Sequence, residues 1–269
     1  MIAILAAESV TALGDEVRGQ VLVAGSHGGR IAAYLGAAAG AHALILNDAG
    51  VGKDDAGIAG LADLDAIGMA AATVSYQTAR IGDGADMLAH GIISFVNETA
   101  ARCGVVPGMA CAQAAWRLCS ARAPFAPPLS YSDGRFLIAS ELPDSLPEVW
   151  ALDSIGKVLA SDAGKILVIG SHCALHGGRP ESALTVDAVA AIFHDAGGGK
   201  AGTTRLAVLD SRSIPAAAVS AASARIGDGR SMCASGILAV VNLSGAARGW
   251  RPGMTVAAAV SRLVASTGE

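Results

Sequence analysis

Residues 21–29 read VLVAGSHGG, and residues 166–178 read ILVIGSHCALHGG. Each is a short apolar run that ends in a glycine-rich turn. Such a run, bounded by a turn and followed by a helical pattern, is the mark of a buried strand feeding a helix. The echo continues along the chain. Residues 47–53 read NDAGVGK against HDAGGGK at 194–200, and ARIGDG stands at both 79–84 and 224–229. Ser26 and Ser171, Arg80 and Arg225, Asp83 and Asp228, Asn97 and Asn242, and Gly108 and Gly253 are each 145 positions apart. This spacing predicts a tandem duplication.

Within each copy the rhythm is strand–loop–helix, three times. In the first copy, apolar runs at 21–24, 43–46 and 71–75 precede helical stretches at 30–39, 55–66 and 85–103. In the second, runs at 166–169, 190–193 and 216–220 follow suit, with 232–241 as the long helix. Residues 2–6 and 149–152 add a strand ahead of each copy, and helices at 108–120 and 253–265 close them. Short apolar strands alternating with helices give an α/β fold with a mainly parallel sheet covered on both faces. The expected division is copy one at 1–120, a Pro-rich linker at 121–148 and copy two at 149–269. So small a sheet favours two copies packed about a pseudo-twofold axis, as in a fused isologous dimer.

Composition narrows the function classes. The chain has 269 residues, 52% hydrophobic and 16% charged, with a net charge of −4. That argues against disorder, and the absence of a basic stripe argues against nucleic-acid binding. No uncharged apolar run reaches the length of a membrane span. Five cysteines without a CxxC pair read as reduced thiols of a cytoplasmic protein. The start, MIAILAAESV, lacks the basic region of a secretory signal. A homo-oligomer is left open.

The repeated motifs all fall where a strand ends and a helix begins. In a parallel sheet those loops gather at the carboxyl edge, where α/β proteins bind ligands. Tight turns alone account for Gly25, Gly50, Gly82 and Gly84. They do not account for His27, Asp48, Lys53 or Arg80. His27 and its counterpart, either His172 or His176, are candidate proton carriers. Ser26 and Ser171 stand on the strand-to-helix turn, as nucleophile, N-cap or ligand contact, and Gly28 offers a backbone donor. The chain has four lysines, and two of them, Lys53 and Lys200, share one motif position. Beside them Asp48 and Asp195, with Asn47 and His194, face the same edge as acid–base or binding groups. Arg80 and Arg225 are candidates to grip an anion by a two-point fork, while Asp83 is expected to cap the following helix.

These residues point to an enzyme acting on a small anionic metabolite, in first place a carboxylate. The catalytic set is His27, Asp48, Lys53, His172, His194, Asp195 and Lys200. The substrate-binding set is Ser26, Gly28, Asn47, Arg80, Ser171, His176 and Arg225. Hydrolase or lyase chemistry is favoured because no GxGxxG opens a helix after a strand. No organic cofactor is expected. A divalent metal held by the copy-two histidines is one alternative; a non-catalytic small-anion binding protein is the other.

Overall fold

The computed structural model describes residues 2–128, 130–131, 134–138, 147–198 and 201–265. The chain forms two compact units. One is Met1–Ser132 with His176–Gly178; the other is Asp133–Leu175 with Arg179–Glu269. The division falls inside the expected linker, much of which (139–146) lies outside the described residues.

The first unit is built on β1 (Ile4–Ala7), β2 (Val21–His27), β3 (Ala43–Asn47), β4 (Ala71–Val74) and β5 (Ile93–Val96), which pair in that order. The first four are parallel and β5 runs antiparallel to β4. Successive side chains of a strand face opposite ways, so both faces here must be covered. Val21, Val23, Ala43, Ile45, Ala72 and Val74 enter one core layer. It is closed by residues of α3 (Gly84–His90) and α5 (Cys111–Leu118), among them Met87, Ala114 and Leu118. Leu22, Ala24, Leu44, Leu46 and Ala71 enter the other layer. That layer takes Ala32 and Ala33 from α1 (Arg30–Ala38) and Leu61 and Leu64 from α2 (Gly60–Ala66).

The expected helix over 85–103 is broken into three. α3 ends at Gly91, whose N–H donates to Met87 O. The strand β5 follows, and then α4 (Glu98–Arg102). Asn97 ends the strand and caps α4 in one step. Its Oδ1 accepts from Ala100 N–H (2.9 Å) and Ala71 N–H (3.0 Å), and its Nδ2 donates to Met69 O (2.8 Å). A buried carboxamide that meets both strand and helix backbone outweighs the helical periodicity of the flanking residues.

The second unit has β6 (Arg135–Leu137), β7 (Val149–Leu152), β8 (Ile166–His172), β9 (Ala190–His194), β10 (Ala216–Val219) and β11 (Leu238–Val241). β7 to β10 are parallel neighbours, with β6 and β11 antiparallel at the two edges. Its helices are α6 (Arg205–Ser211), α7 (Gly229–Ser235), α8 (Leu243–Ala247) and α9 (Val256–Ala265). The expected helix over 232–241 is again split, with Asn242 in the role of Asn97. β6 places residues 135–137 of the supposed linker at a sheet edge. Arg135 pins it through a two-point pair with the buried Asp162 (2.7 and 2.5 Å) and lies 4.0 Å from the Trp150 ring centroid. The Arg135 guanidinium holds the Asp162 carboxyl below its ordinary range.

One element of the strand–loop–helix rhythm is missing in the second unit. No α-helix follows β8. Residues 176–189 make two short 3-10 turns and an extended stretch whose Leu184, Val186 and Ala188 cover the sheet. Arg205 explains how this is tolerated. Its N–H donates to Cys173 O (2.9 Å), as Gly60 N–H donates to Gly28 O (2.9 Å) in the first unit. At Gly60 a Cβ would fall on Ala33 of α1. Without a helix there, a whole arginine side chain is buried at the corresponding place. Its guanidinium donates to the carbonyls of Ser182 and Ala183 and sits 5.5 Å from the Phe193 ring centroid. Burial pushes its pKa down to about 10, which still leaves it charged at neutral pH.

Arg205→Met is therefore expected to lower the unfolding free energy by about 3 kcal/mol in urea titrations. Each buried carbonyl left without a donor costs roughly 1–3 kcal/mol. A loss below about 1 kcal/mol would mean that these carbonyls find other donors.

Candidate functional site

The four parallel strands of the first sheet end on one edge, and their loops carry the repeated motifs. Hydrogen bonds lace these loops together. Ser26 Oγ accepts from Val10 N–H after β1 (3.0 Å). Gly82 N–H donates to Gly25 O (2.7 Å), and Gly28 N–H donates to Asn47 O (2.7 Å). Asp48 Oδ1 accepts from Gly50 N–H (3.0 Å) in its own loop and from Tyr76 N–H (2.9 Å) after β4.

The second unit is laced in the same way. Ser171 Oγ accepts from Ile155 N–H (2.9 Å), Gly227 N–H donates to Gly170 O (2.9 Å), and Cys173 N–H donates to His194 O (2.8 Å). Asp195 Oδ1 accepts from Gly197 N–H (3.1 Å) and Ala221 N–H (2.9 Å). Burial raises the Asp195 carboxyl above its ordinary pKa. Asp153, from the acid–Ser–aliphatic triplet after β7, accepts from Gly229 N–H (3.0 Å) and Gly134 N–H (2.7 Å). Its pKa is also raised by burial.

Each predicted residue can now be placed. Ser26 lies inside β2 rather than at a helix N-cap; α1 starts beyond Gly29 without a side-chain cap. Its hydroxyl oxygen is already engaged by a backbone amide, which weighs against its use as a nucleophile. His27 is buried at the end of β2, and its Nδ1 accepts from Gly29 N–H (3.1 Å). The neutral ring therefore carries its proton on Nε2. His172 repeats this with Ala174 N–H (3.3 Å) and pairs with His194 as His27 pairs with Asn47. His172 thus holds in β8 the register position that His27 holds in β2, and His176 does not. His176 lies in a short turn grouped with the first unit. Lys53 is half-buried in the 3-10 turn Lys53–Asp55, and Lys200 lies outside the described residues.

His194 departs from its expected catalytic or metal-binding role. It is fully buried, Nδ1 accepts from Ala196 N–H (3.0 Å), and Nε2 donates to Ala224 O (3.1 Å). Both ring nitrogens are thus spent on backbone, and burial pushes the pKa down to about 4. Asn47 stands at the matching register. Its Oδ1 accepts from Ala49 N–H (2.9 Å), but the shorter side chain leaves Nδ2 buried and without a hydrogen-bond partner among the described residues.

The arginines are also engaged locally. Arg80 Nη2 lies 2.8 Å from Asp86 and 3.2 Å from Asp83, and Arg225 reaches Asp228 through Nε (3.1 Å) and Nη2 (2.9 Å). Any anion must compete with these carboxylates. Asp83 and Asp228 cap α3 and α7, accepting from Asp86 N–H (2.9 Å) and Ser231 N–H (2.8 Å). Among the described residues, no group of three or more His, Cys, Asp or Glu side chains is placed to hold a metal ion. No described helix is long and apolar enough to cross a membrane.

No protein-family model, curated protein or solved structure matches the chain.

One feature of the edge is not carried by any single residue type. In the loop after β3, Ala49, Val51, Asp54 and Asp55 all take positive φ, at 49°, 62°, 55° and 54°. For a β-branched residue such as Val51 this is an outlier. Among the described residues, the second unit's loop has one non-glycine of this kind, Ala196 at 54°, followed by Gly197 and Gly198. The glycines at 50 and 52 signal the turn from sequence, but nothing in residue type announces a left-handed valine between them.

His194 sets a pH test. The folded ring stays neutral down to about pH 4, whereas its ordinary pKa is 6.5. Between these values the unfolded chain binds the additional proton, so stability falls as pH drops through this window. The total is on the order of 3 kcal/mol. His194→Asn, which copies the first unit, should lose about 1–3 kcal/mol at neutral pH from the unpaired Ala224 carbonyl. It should also flatten the stability profile between pH 6.5 and 4 in denaturant titrations relative to wild type. An unchanged profile would show that His194 titrates normally in the fold.

Proposed function

We propose that the chain is an enzyme acting on a small anionic metabolite, in first place a carboxylate, by hydrolase or lyase chemistry at the carboxyl-edge loops. The observation that carries this reading is the left-handed backbone of the loop after β3. Strained φ/ψ values persist only where the surrounding structure over-determines them, and they cluster at ligand and catalytic sites. This loop carries Asp48 at its base and Lys53 at the start of its 3-10 turn, and His27 ends the neighbouring strand. In the proposed site Lys53 anchors the anion as a compact charge. His27, with its proton fixed on Nε2 by the Gly29 amide, acts as a hydrogen-bond donor to the substrate rather than as the initial base. Asp48 holds the loop to the chain after β4 and shapes the floor.

We also infer that the chain is a tandem duplication. The shared strand order and the corresponding lacing bonds in both sheets support this. The first unit is the better candidate for activity, because it keeps the strained loop and lacks the imidazole that fills the wall at His194. A cytoplasmic setting fits the five free cysteines. The alternative, a non-catalytic small-anion binding protein, is favoured by one observation: Ser26 and Asp48 both spend side-chain oxygens on backbone amides.

The test is a thermal-shift and calorimetric titration with small dicarboxylates and phosphate esters, followed by product analysis with any binder. Lys53→Ala should weaken binding by about one to two decades, the loss of one charge-assisted contact. Val51→Gly should raise stability by about 1 kcal/mol, because a left-handed non-glycine costs roughly 1–2 kcal/mol, while weakening binding or turnover. If both variants keep wild-type affinity, the loop is not the site. Binding without turnover selects the binding-protein reading.

A further inference from the structure

A pocket lies at the opposite, amino edge of the first sheet. It has a volume of about 630 Å³ and lies between the turn before β4, the end of α4 and the segment that follows α5. Residues 121–125 cross this edge and are tied down at both ends. His42 Nε2 is 3.1 Å from Ala121 O, and Phe125 N–H donates to Ile67 O (3.1 Å).

The lining has one dominant chemistry. Ser120 Oγ donates to Arg117 O (2.7 Å), Thr99 Oγ1 donates to Asp65 (2.7 Å), and Cys103 Sγ donates to Thr99 O (3.5 Å). The side-chain donors left to meet a ligand are the guanidinium groups of Arg102 and Arg122. Arg102 is held in place, because its Nη2 donates to Thr99 Oγ1 (2.9 Å) and Thr99 is itself clamped by Asp65. Its acidic neighbour, Glu98, is exposed and stands off at 3.6 Å. Among the described residues no carboxylate lies within ion-pair distance of Arg122. Two guanidinium groups on one pocket wall, with Arg102 sharing only an exposed 3.6 Å ion pair with Glu98, suit a phosphate. The remaining wall is apolar: Ala123 and the Phe125 ring, which lies over Gly68 and is 78% exposed.

The second unit keeps the clamp but not the arginine. Ser244 is bound to Asp210 (2.7 and 2.8 Å) as Thr99 is to Asp65, yet Ala247 stands where Arg102 would be. The pocket therefore depends on a substitution particular to the first unit and on residues from the segment after α5.

We propose that this amino-edge pocket binds a small molecule with a phosphate head and a flat apolar body. Arg102 and Arg122 take the head, and Phe125 stacks on the body. The site is separate from the carboxyl-edge site and does not rest on its function. The experiment is a calorimetric titration of the full chain with phenyl phosphate, inorganic phosphate and phenol. Phenyl phosphate should bind more tightly than inorganic phosphate, and phenol should not bind. Arg102→Ala and Arg122→Ala should each weaken phenyl phosphate at least tenfold, with unchanged melting temperature in the absence of ligand. Phe125→Ala should erase the preference for phenyl phosphate over inorganic phosphate. Binding that is lost in Lys53→Ala but kept in both arginine variants belongs to the carboxyl-edge site; the component assigned to this pocket persists in Lys53→Ala and is lost in Arg102→Ala and Arg122→Ala, which separates the two sites. No binding by the wild type, or wild-type affinity in both arginine variants, would overturn the proposal.

Discussion

In each sheet the start of a helix rests directly on the ends of two parallel strands, with no side chain between them. A Cβ on Gly25 would fall on the amide of Asp83, and one on Gly84 would fall on the carbonyls of Ala7 and Val23. Gly170 and Gly229 stand in the same relation to Asp228 and Leu152. This bare contact sets the rest. It lets Gly82 and Gly227 donate to the carbonyls of Gly25 and Gly170, and it places Asp83 and Asp228 at the first turn of α3 and α7. It also draws the loop after β4 across to the strands on the other side of the sheet. The loops of the whole edge thereby become one hydrogen-bonded framework.

Such a framework has an energetic meaning. Each lacing bond contributes only about 1 kcal/mol net, but leaving any of these buried amides unpaired would cost more than making the bond gains. Ser26, Asp48 and their counterparts are thus held by the backbone they satisfy. That rigidity is what allows the loop after β3 to keep a left-handed valine. Strain of a few kcal/mol survives only when its surroundings cannot relax. The same edge that commits polar side chains to structure therefore keeps one loop poised in an unfavourable shape.

Much of the fold was legible in the residues. The apolar runs at 21–24, 43–46, 71–75 and their partners became strands, and the helices at both unit ends lie within the expected spans. The split of 85–103 was not anticipated, because Ala and Leu periodicity is blind to a cap. The signal lay in Asn97 and Asn242, whose shared spacing marked them without revealing that each carboxamide bridges a strand to a helix. The helix missing after β8 had a subtler sign, the extra residues of GSHCALHGG, which lengthen the turn instead of opening a helix. At the site, residue type separated glycine turns from chemistry-bearing groups. It could not show that both ring nitrogens of His194 are spent on backbone. His27 and His194 are both buried at strand ends, and what each ring meets there depends on the backbone around it, which residue type does not reveal.

Gly60 and Arg205 bear on how such a unit could ever be rebuilt. At one place the chain needs the smallest residue, because a helix passes over it; at the other it needs nearly the largest, because none does. A protein engineer grafting α1 into the second unit would have to exchange Arg205 in the same step, and deleting α1 from the first would strand Gly60 beside an empty groove. Either half of the exchange made alone costs stability. The two forms of the unit are therefore separated by a barrier in sequence space that point mutation crosses poorly, however alike their loops remain.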